Sequence, residues 1–318
     1  MMQDDQLNIE LANERDAKEV FNEALRLVAT GEPLREEHYL QLTHISGDRL
    51  GAFKLIWDDF GTAERLSILK RLKEHEANDL RMEFNEVYHL AMQDDDPELR
   101  LAGLNAVIED KSGWLFGHLM KLLESDPDVR VRERAGRALA PFAQSIELGE
   151  WEEEDADELE ALLMRLVRRQ QEPIGVRGAA LEAAGHLSTP EVAAEIDDAF
   201  QDDALRLDAI RAMGHSGEPR WLTRLLRVVE DDDPRVRLAV ATAFGEIPDQ
   251  SSVPALVDML DDEEMDVRLA AIKSLGELGG DEAREGLVYA FDDKRPEVRE
   301  AATLALAELD FYEDPLSL

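Results

Sequence analysis

Asp231–Ile247 reads DDDPRVRLAVATAFGEI: an acidic cluster, a proline, Val236 and Arg237, small and aliphatic residues at helical spacing, and a late glycine. The pattern returns along the chain. With the arginine as position zero, it recurs at Arg65, Arg100, Arg132, Arg177 and Arg206 before Arg237, and at Arg268 and Arg299 after it. The eight occurrences are spaced by 35, 32, 45, 29, 31, 31 and 31 residues. Self-similarity at one period marks a repeat architecture.

Positions +2, +3, +6, +7 and +10 are mostly Ala, Leu, Val, Ile or Phe. At about 100° per residue they form one apolar stripe on a helix. The many alanines allow a neighbouring helix to come close. Acids and a proline ahead of each arginine supply N-cap and first-turn chemistry. Gly185, Gly214, Gly245 and Gly276, at +8, read as helix stops. A first helix of the next pair follows, as in WLTRLLRVVE from Trp221 and VPALVDMLDD from Val253. Neither helix buries its stripe alone, so the pairs must stack. The expected fold is all-α, a right-handed solenoid of helical hairpins.

The motif D-x-x-P-x-V-R-x-x-A-x-x-A-L-G-x-[LI] resembles the HEAT repeat, and in particular its short bacterial form, the phycobilisome-lyase type. The resemblance runs from about Asp48 to Leu309 and is specific as to fold. As to function it spans scaffolds, chromophore lyases, DNA glycosylases and metal-dependent hydroxylases, so it only ranks hypotheses. It also implies a structural role for the arginines. In similar repeats this residue pairs with an acid of the adjacent unit, which would make Arg100, Arg132, Arg177, Arg206, Arg237, Arg268 and Arg299 a ladder. Asp233, Asp262, Asp266 and Asp293 are available partners.

The 318 residues carry 72 acids against 35 bases, a formal net charge of −37. A chain so acidic repels phosphate backbones, which argues against nucleic acid as a partner. The charge serves solubility on one reading and steers a basic protein partner on another. No 18-residue apolar run predicts a membrane helix, and the acidic start, MMQDDQLNIE, has no signal-peptide core. Cysteine is absent. The expected setting is a bacterial-type cytoplasm, with a monomeric protein free of cofactors.

Residues 1–14 read as frayed. Helices over 15–30, 34–42 and 49–58 follow, and residues 1–47 form an N-terminal cap ahead of a repeat body at 48–309. Residues 145–160, SIELGEWEEEDADELE, hold nine acids and no base and account for the long interval. They read as an acidic loop leading into a helix over 155–169. Trp151 is the candidate contact residue there, against the alternative of a solvated spacer. The tail, 310–318, either folds back through Phe311, Tyr312, Leu316 and Leu318 or serves as a linear motif.

No catalytic motif is present. The triplets Asp94–Asp96 and Asp231–Asp233 lack the alternating layout of a calcium loop and sit where caps are needed. Similar hydroxylases hold two irons with four His-Glu dipeptides; this chain has only His75-Glu76. His186 and His215, at +9, are placed to cap helix-end carbonyls.

Opposite the apolar stripe, position +5 carries Lys70, Asn105, Arg137, Arg211 and Lys273, with Glu182 as an acid. Position +1 carries Leu66, Leu101, Leu207, Leu238 and Leu269, and +4 adds Leu69, Leu104, Leu181, Ile210 and Ile272. These predict a leucine-rich, mildly basic concave groove suited to a peptide with apolar anchors and acidic residues. The alternative is that the leucines pack between adjacent second helices. The function so read is a protein or peptide scaffold without enzymatic activity. The resemblance offers a second reading, a bilin lyase-like enzyme or chaperone for a tetrapyrrole-protein complex.

Overall fold

The computed structural model describes residues 17–107 and 110–313. Residues 1–14, expected to fray, and residues 314–318 of the tail lie outside them. Among the described residues all regular structure is helical. The helices are α1 (17–30), α2 (Glu36–Leu42), α3 (Gly47–Asp59), α4 (Thr62–Glu76), α5 (Asn85–Met92), α6 (Pro97–Ala106), α7 (Gly113–Ser125) and α8 (Val129–Ala138). Then come α9 (Ala140–Glu147), α10 (Glu153–Arg168), α11 (Ile174–Ala184), α12 (Pro190–Phe200), α13 (Arg206–His215) and α14 (Leu222–Leu225). The last are α15 (Pro234–Glu246), α16 (Val253–Met259), α17 (Met265–Leu278), α18 (Asp281–Phe291) and α19 (Pro296–Glu313). None of the described helices is long and apolar enough to cross a membrane.

Local chemistry sets the starts. The Asp96 and Asp233 carboxylates accept from the backbone N–H of Glu98 and Arg235, with Pro97 and Pro234 in the first turn. Thr189 caps α12 in the same way ahead of Pro190. The acidic triplets are therefore helix caps. Helix α19 runs on to Glu313, so residues 310–313 continue a helix and Phe311 stays exposed.

The chain divides into two compact units, residues up to His118 with Asp126–Arg134, and Leu119–Ser125 with residues from Ala135 onward. In the first unit, Phe53, Trp57, Leu72, Phe84, Tyr88, Leu99 and Leu104 are buried. Tyr39 stacks on His75 at 3.7 Å.

The second unit is the regular one. Its second helices pack in sequence, α11 on α13, α13 on α15, α15 on α17 and α17 on α19. The glycines at +8 decide how closely. A Cβ on Gly185 would lie 2.7 Å from the Ala212 backbone, and one on Gly214 2.8 Å from Ala243. The same construction puts Gly245 at 2.5 Å from Ser274 Oγ and Gly276 at 3.1 Å from Ala305. Each +8 glycine thus faces the +6 residue of the next unit. Expected as helix stops, Gly214, Gly245 and Gly276 lie inside their helices and only Gly185 caps one. They are there for close approach. That approach also buries position +4, so Leu181, Ile210 and Ile272 belong to the core and not to a groove; Leu69 and Leu104 are buried likewise in the first unit.

The long interval accommodates an additional helix, α9, entered through Pro141 and packed by Phe142 and Ile146. It leaves the stacking intact: a Cβ on Gly136 of α8 would lie 2.9 Å from Ala179 of α11. The turn at Gly149 has φ of 76°. Trp151 is half-buried and meets Phe142 edge-on at 5.6 Å, so it seats the turn.

Candidate partner-binding face

On α13, α15 and α17 of the second unit, positions +1, +5 and +9 remain at least partly exposed, whereas Gly178 and Glu182 at +1 and +5 of α11 are buried. Leu207, Leu238 and Leu269 are half-buried at +1. Arg211, Thr242 and Lys273 stand at +5, and His215, Glu246 and Glu277 at +9. Leucines at this spacing form a row across α13, α15 and α17.

The four bases expected to make the groove positive all have carboxylate partners. In the first unit Lys70 lies 3.8 Å from Glu74. In the second, Arg137 Nε donates to Glu182 Oε2 at 3.1 Å, and Arg211 Nη1 donates to Glu182 Oε1 at 2.7 Å and Asp208 Oδ1 at 3.3 Å. Lys273 lies 3.3 Å from Glu277. The basic groove is corrected to a paired one, because Glu182 at +5, Asp208 at +2 and Glu74 and Glu277 at +9 meet the bases at +5. Leu101 is half-buried in the first unit, and Asn105 Oδ1 accepts from Arg134 Nε at 2.6 Å.

The paired bases at Glu182 form the most unusual cluster of the face. The Glu182 side chain is 8% exposed and Asp208 beside it 16%, while Arg137 and Arg211 are 37% and 40% exposed. Three departures from the repeat pattern build it. Glu182 replaces a base or neutral residue at +5, Asp208 replaces alanine at +2, and Gly178 replaces the usual leucine at +1. The glycine is required: its Cβ would meet Asp208 Oδ2 at 2.3 Å. Sequence reasoning missed Asp208, and the coincidence of Gly178 with Asp208 was the available signal.

Two buried carboxyl groups in contact cannot both ionise cheaply. Burial first, then the hydrogen bond and charge of Glu182, raise the Asp208 pKa to about 7. Burial also pushes Glu182 upward, but the hydrogen bonds from Asp208 and Arg211 and the two guanidinium charges outweigh it and hold Glu182 low. Asp208 is therefore the proton donor of the pair and Glu182 the acceptor.

Next along the face, His186 and His215 stack at 4.5 Å and 11°. Burial and the neighbouring imidazole lower His186 to about 4. His215 Nδ1 donates to the Glu182 carbonyl at 3.1 Å, so it caps a carbonyl of the adjacent helix α11. Glu246, 4.0 Å from His215, is raised by burial, with Glu277 adding to the rise.

The arginines at position zero divide into two kinds. Arg100 and Arg237 each grip both carboxylate oxygens of an aspartate in the next hairpin, Asp126 at 2.8 Å and Asp262 at 2.7 and 2.9 Å. A third nitrogen of each donates to carbonyls of its own turn. Arg65 reaches one oxygen of Asp94 through Nη1, while its Nε and Nη2 donate to the Trp57 and Asp58 carbonyls at 2.9 and 3.2 Å. Arg177, Arg206, Arg268 and Arg299 depart from the ladder. Arg177 Nε donates to the Val167 carbonyl at 2.9 Å, since the matching position ahead of Arg206 is Phe200. Arg206 pairs locally with Asp203. Arg268 donates to the Asp262 carbonyl and leaves its Nε buried without a partner, because Arg295 forks onto Asp293 first. Arg299 donates to the Asp293 and Lys294 carbonyls at 2.9 and 3.0 Å, and Arg132 is half-buried.

Other candidate chemistry resolves into packing. Glu76 accepts from Lys73 at 2.8 Å and Tyr88 at 3.2 Å, beside the stacked His75. No group of three or more His, Asp or Glu among the described residues could hold a metal ion. In the first unit a cavity of about 430 Å³ is lined by His89, Asp110 and Trp114 among others. There His89 Nε2 lies 2.6 Å from Asp110, and Trp114 stacks with His89 at 4.0 Å and with His118 at 4.7 Å. Trp114 itself stays 43% exposed, and Asp110 also accepts from the Ser112 N–H at 2.8 Å. The pair fastens a turn to α5.

A family model described as HEAT repeats matches residues 199–267 and 259–318. That span holds Arg206, Arg237, Arg268 and Arg299, and the match does not single out the phycobilisome-lyase type. No curated protein matches the chain. Among solved structures, the chain is similar to the YibA protein of Escherichia coli, with 19% identity, 88% of this chain and 98% of that one covered, and a TM-score of 0.42. It is similar to a designed armadillo repeat protein in complex with the peptide (KR)4, with 15% identity, 61% and 99% covered, and a TM-score of 0.40. Kap95p, from a study of RanGDP, gives 15% identity, 93% of this chain and 47% of that one, and a TM-score of 0.45.

Proposed function

We propose that the protein is a binding scaffold that holds a protein or peptide segment along the second helices of its second unit. The observation that carries this reading is the row of half-exposed Leu207, Leu238 and Leu269. In that unit the +4 positions beside them are buried wherever they are apolar, so these leucines are what the repeat leaves for a partner. A stack of hairpins offers such a row at one anchor per repeat, and each anchor has a charged or polar +5 neighbour that can orient a peptide.

The test compares the intact chain with a Leu207→Ser, Leu238→Ser, Leu269→Ser variant as bait in the source lysate. A protein recovered repeatedly by the intact chain and lost by the variant supports the scaffold, provided the thermal melts of the two baits agree. Equal recovery by both baits sinks it.

A further inference from the structure

The scaffold reading leaves open what kind of segment lies along the leucines, and the seams of the second unit bear on that. The +8 glycines admit more than the +6 residues of the next helix. A Cβ on Gly214 would lie 2.5 Å from Glu246 Oε2, and one on Gly245 2.6 Å from Glu277 Oε2. Each of these +9 glutamates therefore reaches back to the preceding helix, and its carboxylate lies on the seam against a glycine.

The two carboxylates are poorly answered. Their side chains are 35% and 43% exposed, and neither accepts a hydrogen bond among the described residues. The cations near them are His215, 4.0 Å from Glu246, and Lys273, 3.3 Å from Glu277 but itself 74% exposed. Burial and the charge of Glu277 hold the Glu246 carboxyl above its ordinary pKa. A partly desolvated carboxylate near a second one is short of a cation.

The same stripe carries apolar anchors. Positions +1, +5 and +9 follow one another by about a turn and share a face of each helix. On α15 they are Leu238, Thr242 and Glu246, and on α17 Leu269, Lys273 and Glu277. On α19 they are Glu300, the exposed Leu304 and Glu308. The acids outweigh Lys273 at this end of the face, whereas α13 presents Arg211 and His215. Eight residues separate the leucine row from the glutamate row, about 12 Å along a helix, which is the width of one further helix.

We propose that the segment bound here is a basic amphipathic helix of a partner protein. It lies across α15 and α17 with its apolar face on Leu238 and Leu269 and an edge of lysine or arginine on Glu246 and Glu277. This rests on the docking reading above and adds the chemistry of the partner. A second copy of a chain with a formal net charge of −37 would bring like charge to the same place.

The experiment uses the full chain at about 0.15 M salt, where charges farther than about 8 Å are largely screened. Its probes are two fluorescein-labelled amphipathic peptides, one of leucine and lysine and its leucine–glutamine counterpart. Anisotropy is expected to show the lysine peptide binding about tenfold more tightly, on the order of two partly exposed ion pairs. The Glu246→Gln, Glu277→Gln variant removes that advantage, while Glu153→Gln, Glu154→Gln, an equal charge change on α10, keeps it. The first variant should melt close to or above the intact chain, since burial and mutual repulsion oppose the charges it removes; a binding loss without a stability loss separates a contact from a structural role. Equal affinity for the two peptides, with binding lost in Leu238→Ser, Leu269→Ser, overturns the basic edge and leaves the docking face standing. No binding of either peptide, or binding indifferent to the leucines, overturns both. Equal losses in the two glutamine variants reduce the preference to overall charge and overturn the seat. A chain that sediments as a dimer and dissociates on Leu238→Ser, Leu269→Ser gives the row to a second copy and overturns the partner helix.

Discussion

The α11–α13 and α15–α17 interfaces stack equivalent helices through equivalent glycines, Gly185 on Ala212 and Gly245 on Ser274. Their polar chemistry is opposite. At α15, Arg237 and Asp262 are each 9% exposed, and both guanidinium edges are satisfied by the next turn and its own. At α11, Arg177 has no aspartate to meet, and the polar groups move to the open face as Arg137, Glu182, Asp208 and Arg211. The first arrangement follows the repeat and holds two hairpins together. The second breaks the repeat at three positions to place a titratable cluster where a partner can reach it. Departures that no other repeat shares, once the common pattern is subtracted, mark where such a protein differs from a generic stack.

Four measurements break or sharpen that contrast, beginning with the largest effect. Asp262→Ala strands the buried Arg237, and urea denaturation should show a loss of about 3–5 kcal/mol, as for other broken buried pairs. A loss near zero would mean that the rung is ornamental. Gly178→Leu restores the usual leucine but drives it into Asp208, for a loss of about 1–3 kcal/mol. Adding Asp208→Ala should return most of it, and a double-mutant cycle that is simply additive would refute the contact.

The third measurement is stability against pH. The folded pKa of Asp208 is raised from 3.8 to about 7, so over that range the folded state keeps a proton that the unfolded chain has lost. Its contribution is full below about pH 4, declines as pH rises to about 7 and is flat above. The decline is on the order of 1–2 kcal/mol, because the pair shares its proton and relaxes. Asp208→Asn should remove that decline, whereas Asp262→Asn should not. The smallest effect is Lys273→Ala, on an exposed pair with Glu277, which should change stability by less than about 0.5 kcal/mol.

Much of the fold was legible because it is written several times. Val236, Val267 and Val298 at −1, the alanines at +3 and +6, and the proline-led caps recur with the same spacing, and all fold as the period predicts. What was illegible depends on neighbours in space. The +8 glycines look like helix stops in one dimension and prove to be contact points only when the next helix lies against them. The leucines at +4 look like a groove until that same approach buries them. Whether an arginine finds its aspartate depends on competition, as when Arg295 takes Asp293 ahead of Arg268. The Asp208 cluster was hidden because averaging over repeats hides what two neighbouring repeats do only where they meet.

Helix α9 shows how far the stack tolerates extra chain. Gly136 and Ala179 meet as neighbours although the segment between them carries an additional helix and an acidic turn. Closing a longer loop costs only about 0.6 kcal/mol per doubling of its length, a small sum beside the packing it spans. The exposed Gly149–Glu150 of this turn is therefore a graft point: a tag, a reporter or a second binding module inserted there would leave Trp151 on Phe142 and Gly136 against Ala179.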